Sequence, residues 1–344
     1  MITALAIILT FSIVVFVHEL GHFLVALKIG IKVETFSLGF GPEIIGVTRK
    51  GIRYRLSLLP LGGYVKMKGE NPVEEGADDK DSFVSQDPLN RLKVLFAGPV
   101  MNFLAGALIF SMILYLIGLP RVVDEPKIGG VMENSPALEA GIQDGDKVLS
   151  INQEEVSTWE EVTGTIARYS ENKINLKIDR DGNIINIAVQ AQFMEEHDRK
   201  LIGIIPVVEQ IKSGFFRAFY EGFKYTGYLT VEILRSLWLM ITGRMEAEVA
   251  GPVGIGGLIS DAAGEGLGHL FQFIAIISIN LGMINLFPIP VLDGGHIIFA
   301  VIEKIKGSPV DEKKMNIANM IGLALLFSLL IFVTWQDIAR IFLE

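Results

Sequence analysis

The residues with the clearest potential for chemistry are His18, Glu19 and His22, which form an H-E-x-x-H motif. On an α-helix, residues four positions apart lie about one turn apart and about 40° apart around the axis, so both imidazoles can reach one ion. Histidine nitrogens are common zinc ligands, and a neighbouring glutamate can activate a metal-bound water. The motif therefore indicates a zinc hydrolase; the alternatives are a chance match or a polar stripe satisfied by neighbouring helices.

The motif lies within an apolar run, residues 1–27, that contains no other ionisable side chain. About 20 apolar residues suffice to cross the hydrocarbon core of a bilayer as a helix. Ionisable side chains at that depth are costly and usually functional. The run also lacks the basic start and small-residue cleavage site of a signal peptide, so it is expected to be a retained transmembrane helix.

Two histidines leave a catalytic zinc site incomplete, because such sites usually have three protein ligands. The chain has no cysteine, so the third ligand must be a histidine or a carboxylate. Asp293 is the best candidate, in the segment N-L-F-P-I-P-V-L-D-G-G-H at 285–296. Its prolines free backbone carbonyls, and irregular backbone at membrane depth is tolerated only around a cavity. The alternative is that Asp293 is a solvated turn residue at the membrane surface.

The composition indicates membrane helices combined with a soluble insert. Half of the 344 residues are hydrophobic, yet 20% are charged. The chain is therefore too apolar for an ordinary soluble domain and too charged for membrane spans alone. The net charge of −9 argues against nucleic acid as a partner.

Basic residues in two segments predict the topology, because basic loops stay in the cytoplasm. They lie at 28–93 and 304–314. Both termini are then expected outside the cytoplasm. The predicted segments are spans at 1–27, 95–119, 268–296 and 317–340, cytoplasmic segments at 28–94 and 297–316, and outer segments at 121–206 and 207–267.

This topology predicts that distant polar groups share one depth. His18 lies about 24 Å along a helix that enters from outside, and the third span brings Asn285 and Asp293 to a similar depth after about 26 Å. Asn102, near the start of the second span, is expected to pack or to form a supporting hydrogen bond rather than to bind the metal.

Residues 121–206 are more charged and have shorter segments. The pattern S-P-A-x-x-A-G-x-x-x-G-D-x-V-x-x-I-N, from Ser135 to Asn152, resembles a PDZ domain. A helix is predicted at 158–169 and strands at 173–179 and 184–191, around an Asp-Gly turn. PDZ domains bind extended peptide ends at a sheet edge. The domain could equally act as a steric gate, and the topology predicts that it lies outside the cytoplasm.

The segment 212–243 is apolar enough to suggest a further span. However, Glu221, Lys224, Tyr228, Glu232 and Arg235 fall on one helical face, which is typical of a helix lying in the membrane interface. A fifth crossing would also place the basic residues at 304–314 outside, against the positive-inside rule. The interfacial interpretation is therefore preferred to the spanning one.

The cytoplasmic segment contains two stretches with strand character, 53–59 and 64–67, separated by Gly62 and Gly63. Such a strand edge could pair with an unwound substrate by β-addition. The residues predicted to contact substrate are Leu56, Leu58, Gly62, Gly63, Tyr64 and Val65. The alternative is an amphipathic surface hairpin with no role in substrate binding.

Five motifs together resemble the site-2 protease family of intramembrane zinc metalloproteases, and most closely its bacterial regulator of sigma-E protease branch. They are H-E-L-G-H (18–22), P-L-G-G-Y-V-K-M (60–67), A-G-P-V-M-N (97–102), G-P-V-G-I (251–255) and N-L-F-P-I-P-V-L-D-G-G-H (285–296). Some members of that branch carry two PDZ domains, whereas this chain has room for one.

The resemblance implies a polytopic α-helical membrane protein of about four spans, with a membrane-associated β element near the active site and one inserted α+β PDZ-like domain. It implies a location in the bacterial inner membrane. It also implies that His18, His22 and Asp293 bind Zn²⁺, that Glu19 is the general base, and that Asn285 binds the oxyanion or the substrate backbone. The expected substrates are single-span membrane proteins, such as anti-sigma factors, and remnant signal peptides.

A non-proteolytic membrane metal-binding protein or metal transporter is the alternative function. Transport favours polar residues that form a path across the whole membrane. Here the candidate ligands cluster at one depth, which favours the protease.

Overall fold

A computed structural model describes residues 2–70, 76, 78–169, 173–194, 199–245 and 249–343. It separates into two compact units. The first consists of residues 1–115 and 214–344, and the second, here called the inserted unit, of residues 116–213.

The N-terminal part of the first unit contains α1 (Ile2–Ile29), β1 (Val33–Arg49), β2 (Ile52–Met67) and α2 (Pro88–Leu116). The sequence predicted that the second span would begin at residue 95, but α2 begins at Pro88. Proline suits the first turn of a helix because its fixed φ is preorganised and its missing N–H would be unpaired there. Asp87 Oδ1 also accepts a hydrogen bond from the Leu89 N–H at 2.8 Å, which caps this helix.

The strands β1 and β2 are long and fold back on themselves to make a small sheet. Residues 35–38 of β1 pair on one side with residues 53–56 and on the other with residues 63–66. Gly39 and Gly62 have positive φ values, +88° and +114°, which a glycine adopts without steric cost and which bend the strands. Residues 63–66 therefore form an edge of the sheet.

Leu56 does not lie on that edge, contrary to the sequence-based prediction. It pairs with Leu38 on one side and with Ile45 on the other. Both sides of its backbone are therefore occupied by neighbouring strands, and no substrate strand can add there. The prediction of a continuous binding edge from Leu56 to Val65 was wrong at its first end, because β1 folds back at Gly39 and encloses Leu56, whereas β2 folds back at Gly62 and carries residues 63–66 to the edge.

The inserted unit is an α+β domain with a four-stranded sheet of order β6-β5-β7-β8. The turn between β7 and β8 places Asp181 and Gly182 at φ +52° and +87°, as a two-residue hairpin turn of type I′ requires. The predicted helix and two strands correspond to α4, β7 and β8. The elements are β3 (Leu119–Val122), β4 (Ile128–Val131), α3 (Pro136–Glu139), β5 (Lys147–Ile151), β6 (Glu154–Glu155), α4 (Trp159–Arg168), β7 (Lys173–Arg180), β8 (Asn183–Gln190), β9 (Gln192–Met194), β10 (Arg199–Leu201), β11 (Ile204–Pro206) and β12 (Val208–Ile211).

The chain then returns to the first unit with α5 (Phe215–Ile241), α6 (Pro252–Glu265), α7 (Leu267–Asn285), α8 (Asp293–Lys306) and α9 (Glu312–Leu343). The predicted third span, 268–296, is thus divided. Its helix ends at Asn285, and a second helix begins at Asp293, because Pro288 and Pro290 lie between them. The predicted loop at 297–316 contains most of α8.

Within the described part of the chain, four helices are long and apolar enough to cross a membrane: Thr3–Ile29, Pro88–Leu116, Leu267–Asn285 and Lys313–Arg340. They correspond to α1, α2, α7 and α9, which confirms the four-span prediction. The helix α5 is not among them, and its interfacial position stays a prediction.

A carboxylate on the last span fixes the start of α6. Asp337 Oδ1 accepts a hydrogen bond from the Gly251 N–H at 3.0 Å, and Oδ2 accepts one from the Gly254 N–H at 2.8 Å. Gly251 has no side chain with which to cap the helix. Asp337 therefore supplies from α9 the cap that the sequence of α6 lacks.

Candidate metal centre and active site

Three side-chain atoms converge where α1 meets the start of α8. His18 Nε2 lies 3.1 Å from His22 Nε2 and 3.1 Å from Asp293 Oδ2, and His22 Nε2 lies 3.4 Å from the same oxygen. Both histidines are buried. The predicted pair from the first span and the predicted carboxylate from the third are therefore brought together across about 270 residues of chain.

These separations fit a zinc ion. Zinc binds histidine nitrogen and carboxylate oxygen at about 2.0–2.1 Å in tetrahedral geometry, which places two ligand atoms about 3.3 Å apart. Within the described residues, this is the group of histidine and acidic side chains whose ligand atoms lie close enough to share one metal ion. Asp293 Oδ2 has no hydrogen-bond donor among them, so a cation would satisfy it.

The backbone of α2 orients His22. The Nδ1 atom of His22 lies 2.8 Å from the Val94 carbonyl oxygen, to which it can only donate. The lone pair of His22 is then on Nε2, which faces Asp293. Gly98 leaves the space for both rings, because a Cβ at this position would overlap His22 Nε2 and His18 Cε1.

The backbone before α8 is unusual. Val291 has φ +85°, a region that a β-branched residue rarely adopts. Gly294 and Gly295 allow close packing, since a Cβ on either would overlap the carbonyl oxygen of Phe287 or Ile289. This tight turn places Asp293 in the first turn of α8, where the positive end of the helix dipole favours a carboxylate.

Glu19 lies beside the ligands in a cavity of about 440 Å³. Its Oε2 accepts a hydrogen bond from the Val65 N–H at 3.0 Å. This contact joins the motif on α1 to the edge of the β2 sheet, and Gly62, Gly63 and Tyr64 line the same cavity.

Asn285, the last residue of α7, also lines this cavity. Its Nδ2 lies 3.4 Å from His18 Nε2, which is long for a hydrogen bond. The amide therefore sits next to the ligand atoms without being held by them.

Of the six residues predicted to contact substrate, four line the cavity and two do not. Gly62, Gly63, Tyr64 and Val65 surround Glu19, whereas Leu56 and Leu58 are not part of the cavity wall. The structure also adds residues for which the sequence-based reasoning gave no role. Gly98 supports the imidazoles, and Glu70 and His296 line the cavity. The proximity of a glycine to H-E-x-x-H is visible only in three dimensions.

Comparison with known proteins gives a family match over most of the chain. Residues 6–329 match the model of peptidase family M50. The regulator of sigma-W protease RasP of Bacillus subtilis is 31% identical, with 99% of each chain covered. The zinc metalloprotease RasP of Geobacillus kaustophilus is also 31% identical, over 98% of this chain and 97% of the relative. A Clostridium acetobutylicum relative, named provisionally as a zinc metalloprotease, is 36% identical over 96% of both chains.

Solved structures also align, and among them is the PDZ domain of an SdrC-like protein from Listeria monocytogenes. It is 15% identical, and the alignment covers 25% of this chain and 92% of that one with a TM-score of 0.23. This similarity is too weak to bear on the fold of the inserted unit.

The four candidate spans and the cluster of possible metal ligands are the features of a polytopic membrane protein with a candidate metal centre among its helices. The chain belongs to peptidase family M50, the site-2 proteases. It is an intramembrane zinc metalloprotease of the kind that acts in regulated intramembrane proteolysis.

Proposed function

We propose that His18, His22 and Asp293 are the three protein ligands of the catalytic zinc. The observation that carries this proposal is the separation of 3.1–3.4 Å among their three ligand atoms. When bound, the zinc supplies Lewis acidity, which polarises the scissile carbonyl and lowers the pKa of water.

Glu19 is the general base. Its Oε2 is held by the Val65 N–H, which leaves the other oxygen free to accept a proton. The carboxylate takes a proton from the attacking water and passes it to the leaving amine nitrogen as the peptide C–N bond breaks. Asn285 lies at the edge of this group and donates from its amide to the substrate carbonyl or backbone.

The backbone and an amide fix the tautomers that this role requires. A histidine that binds metal through Nε2 carries its proton on Nδ1 and needs an acceptor there. Val94 supplies that acceptor for His22. For His18 it is Asn102, whose amide lies 3.2 Å from Nδ1 and whose Oδ1 has no partner among the described residues. A 180° rotation of the Asn102 side-chain amide exchanges Nδ2 and Oδ1. The oxygen then accepts a hydrogen bond from the His18 Nδ1–H.

The substrate is the transmembrane segment of a single-span protein. Its helix hides each carbonyl in a backbone hydrogen bond, so the segment must unwind before cleavage. The edge at residues 63–66 supports β-addition of the unwound segment, because the Val65 N–H on this edge already faces Glu19. Anti-sigma factors and remnant signal peptides are the expected substrate classes, and the printed name of RasP, a regulator of sigma-W protease, supports the first.

The proposed location is the bacterial inner membrane, with both termini and the inserted unit outside the cytoplasm. The basic residues at 28–93 and 304–314 support this orientation. The inserted unit has a cavity of about 290 Å³ between α4 and residues 200–206, lined in part by Trp159, Ile166 and Gly203. This cavity could accept a peptide end, and a steric gate is the alternative role for the unit.

The test compares wild-type protein with Glu19→Gln on purified single-span substrates in detergent or nanodiscs. Turnover should fall by at least about 10²-fold, because the general base is lost, while bound zinc is retained. Glu70→Gln is the matched control, since Glu70 lines the same cavity and has no assigned proton transfer.

Glu19→Gln should also trap substrate, visible as a crosslink between Tyr64 and the substrate span. Cleavage at the wild-type rate by Glu19→Gln would refute the assigned base. Loss of zinc from this variant would show that Glu19 is structural. Zinc-replete wild-type protein that cleaves no transmembrane substrate would favour a transport function.

A further inference from the structure

The exposed apolar surface of α1 and α2 in the first unit has a further cavity, distinct from the candidate active site. Its volume is about 700 Å³. On each helix its lining residues recur at spacings of three and four, from Gly21 to Ile29 on α1 and from Lys93 to Met101 on α2. Residues at these spacings share one helical face, so the cavity is a groove between two facing stripes.

The two helices that form the groove are in close contact at one point, and the groove widens away from it. A Cβ at Gly21 would overlap the carbonyl oxygen of Ala97, so the two helices touch there. They run antiparallel, because His22 lies opposite Val94 and His18 lies opposite Asn102. Either side of the contact, larger side chains line the groove.

These side chains leave apolar surface uncovered. Leu24 is 49% exposed, Phe96 42% and Val100 47%. In a helix pair within a membrane, such surface is covered by acyl chains or by another helix.

Two lysines mark one end of this groove. Lys28 lies seven residues beyond Gly21, and Lys93 lies four residues before Ala97. With the helices antiparallel, both lie about 6–10 Å toward the same end. Both are exposed, and no ion pair joins either to a carboxylate among the described residues. Lys93 Nζ donates a hydrogen bond to the neutral Asn90 Oδ1 at 3.0 Å.

We propose that this groove binds one anionic phospholipid, with its acyl chain against Leu24 and Phe96 and its phosphate between Lys28 and Lys93. Lysines at helix ends are common and carry no such meaning by themselves. Here both lysines lie at the same end of an apolar groove. A molecule that complements this groove carries negative charge at the lysine end and is apolar along the rest of its length. Basic pockets between transmembrane helices bind anionic headgroups for this reason. The site does not depend on the assignment of zinc ligands.

The test uses the full-length, zinc-loaded protein and native mass spectrometry. The protein is titrated with equal amounts of phosphatidylglycerol and phosphatidylcholine that have the same acyl chains. Wild-type protein should retain one molecule of phosphatidylglycerol in preference to phosphatidylcholine. The double variant Lys28→Gln with Lys93→Gln should lower the affinity for phosphatidylglycerol by about tenfold or more. Each lysine near an anionic headgroup raises the affinity for that lipid by roughly a factor of five. The matched control, Lys313→Gln with Lys314→Gln, removes the same charge at the start of α9 and should keep the preference.

A further variant tests the apolar part. Leu24→Trp fills the groove and should reduce retention of both lipids while bound zinc remains at the wild-type level. An unchanged lipid preference in the Lys28 and Lys93 double variant would overturn the proposal, as would an equal loss in the control. If Leu24→Trp leaves lipid retention unchanged but abolishes a crosslink to a substrate span, the groove binds a protein helix and the lipid proposal is wrong.

Discussion

Two aspartates, one in each unit, have a buried carboxylate oxygen, and the two carboxylates are held in opposite ways. In the inserted unit, the Asp146 side chain is fully buried, and both of its oxygens accept hydrogen bonds from Arg180 at 2.7 Å. The Gln143 N–H also donates to it at 2.9 Å. The Asp293 side chain is 16% exposed, but its Oδ2 is buried, and the nearest polar neighbours of that oxygen are two imidazole nitrogens.

The difference distinguishes a structural carboxylate from a functional one. A buried charge is tolerated when it is paired and hydrogen-bonded. Asp146 obtains this pairing from the protein itself, through a bidentate guanidinium. In the tautomers proposed for His18 and His22, Asp293 Oδ2 lies among acceptor atoms, and a bound cation would compensate its charge. The same residue type thus pairs with an arginine in one unit and is a proposed zinc ligand in the other.

The largest expected effect is at the metal centre. Wild-type protein should hold about one zinc per chain, because the three ligand atoms fit one ion. Asp293→Ala combined with His22→Ala should remove the zinc and reduce proteolysis to background, as measured by metal analysis and substrate cleavage. Asp293→Asn should weaken zinc retention without unfolding the protein. Full zinc content in the double variant would show that the metal lies elsewhere.

The matched substitution in the inserted unit should lower the stability of that unit and leave the zinc content unchanged. Asp146→Asn leaves Arg180 without its counter-charge, and the free energy of unfolding of this unit should fall by about 3 kcal/mol. We take the lower end of the range for broken buried pairs because Arg180 is partly exposed. Hydrogen exchange of β5 and β7 in the full chain measures the change, and zinc content should not move. Zinc loss in this variant would contradict the separation of the two roles.

The Asp146 pair also predicts a pH dependence. Burial opposes ionisation, but the hydrogen bonds from Arg180 and from the Gln143 N–H outweigh it and hold the pKa of Asp146 below its usual value. A depressed folded-state pKa gives stability that is present above the unfolded pKa of about 4 and is lost as the pH falls through the folded-state pKa. The stability difference between wild type and Asp146→Asn should therefore be constant near pH 7 and shrink below about pH 4. A constant difference down to pH 2 would exclude ionisation of Asp146 as its source.

A smaller effect is expected from the glycine that supports the imidazoles. Gly98→Ala should displace His18 or His22 and lower zinc affinity by about 10- to 100-fold, the usual scale for disturbed ligand support. Gly257→Ala in α6 is the control, because a Cβ there meets open space. Competition with a zinc chelator measures both variants. Equal zinc affinity in both would mean that the imidazoles tolerate the added methyl group.

The smallest effect concerns Asp337, a third buried aspartate, whose partners are backbone N–H groups. Asp337→Asn should weaken the cap of α6 and raise the hydrogen-exchange rate of the Gly251 and Gly254 amides several-fold, while zinc content stays constant. Asp261→Asn, on an exposed position of the same helix, should leave those amides unchanged. Unchanged exchange in Asp337→Asn would show that the amides do not depend on this carboxylate.

Features set by local periodicity could be predicted from the sequence. The four spans follow from the length of their apolar runs, and the common face of His18 and His22 follows from helix geometry. The Asp181–Gly182 turn likewise follows from the few residue types that tolerate positive φ. Asp293 was found by ligand chemistry and depth, although its distance from the histidines could not be derived.

Other features depend on contacts between distant segments, which no local pattern encodes. Leu56 and Val65 belong to one strand with similar propensity, yet the fold of β1 at Gly39 makes Leu56 interior and the fold of β2 at Gly62 places Val65 at an edge. Gly98 supports the imidazoles only because α2 packs against α1 at the level of His18 and His22. The sequence by itself determined the spans and the chemistry of the ligands, since helix periodicity and hydrophobic length are local properties. Tertiary structure alone decided which groups meet, because the packing of helices and strands far apart in the chain sets those distances.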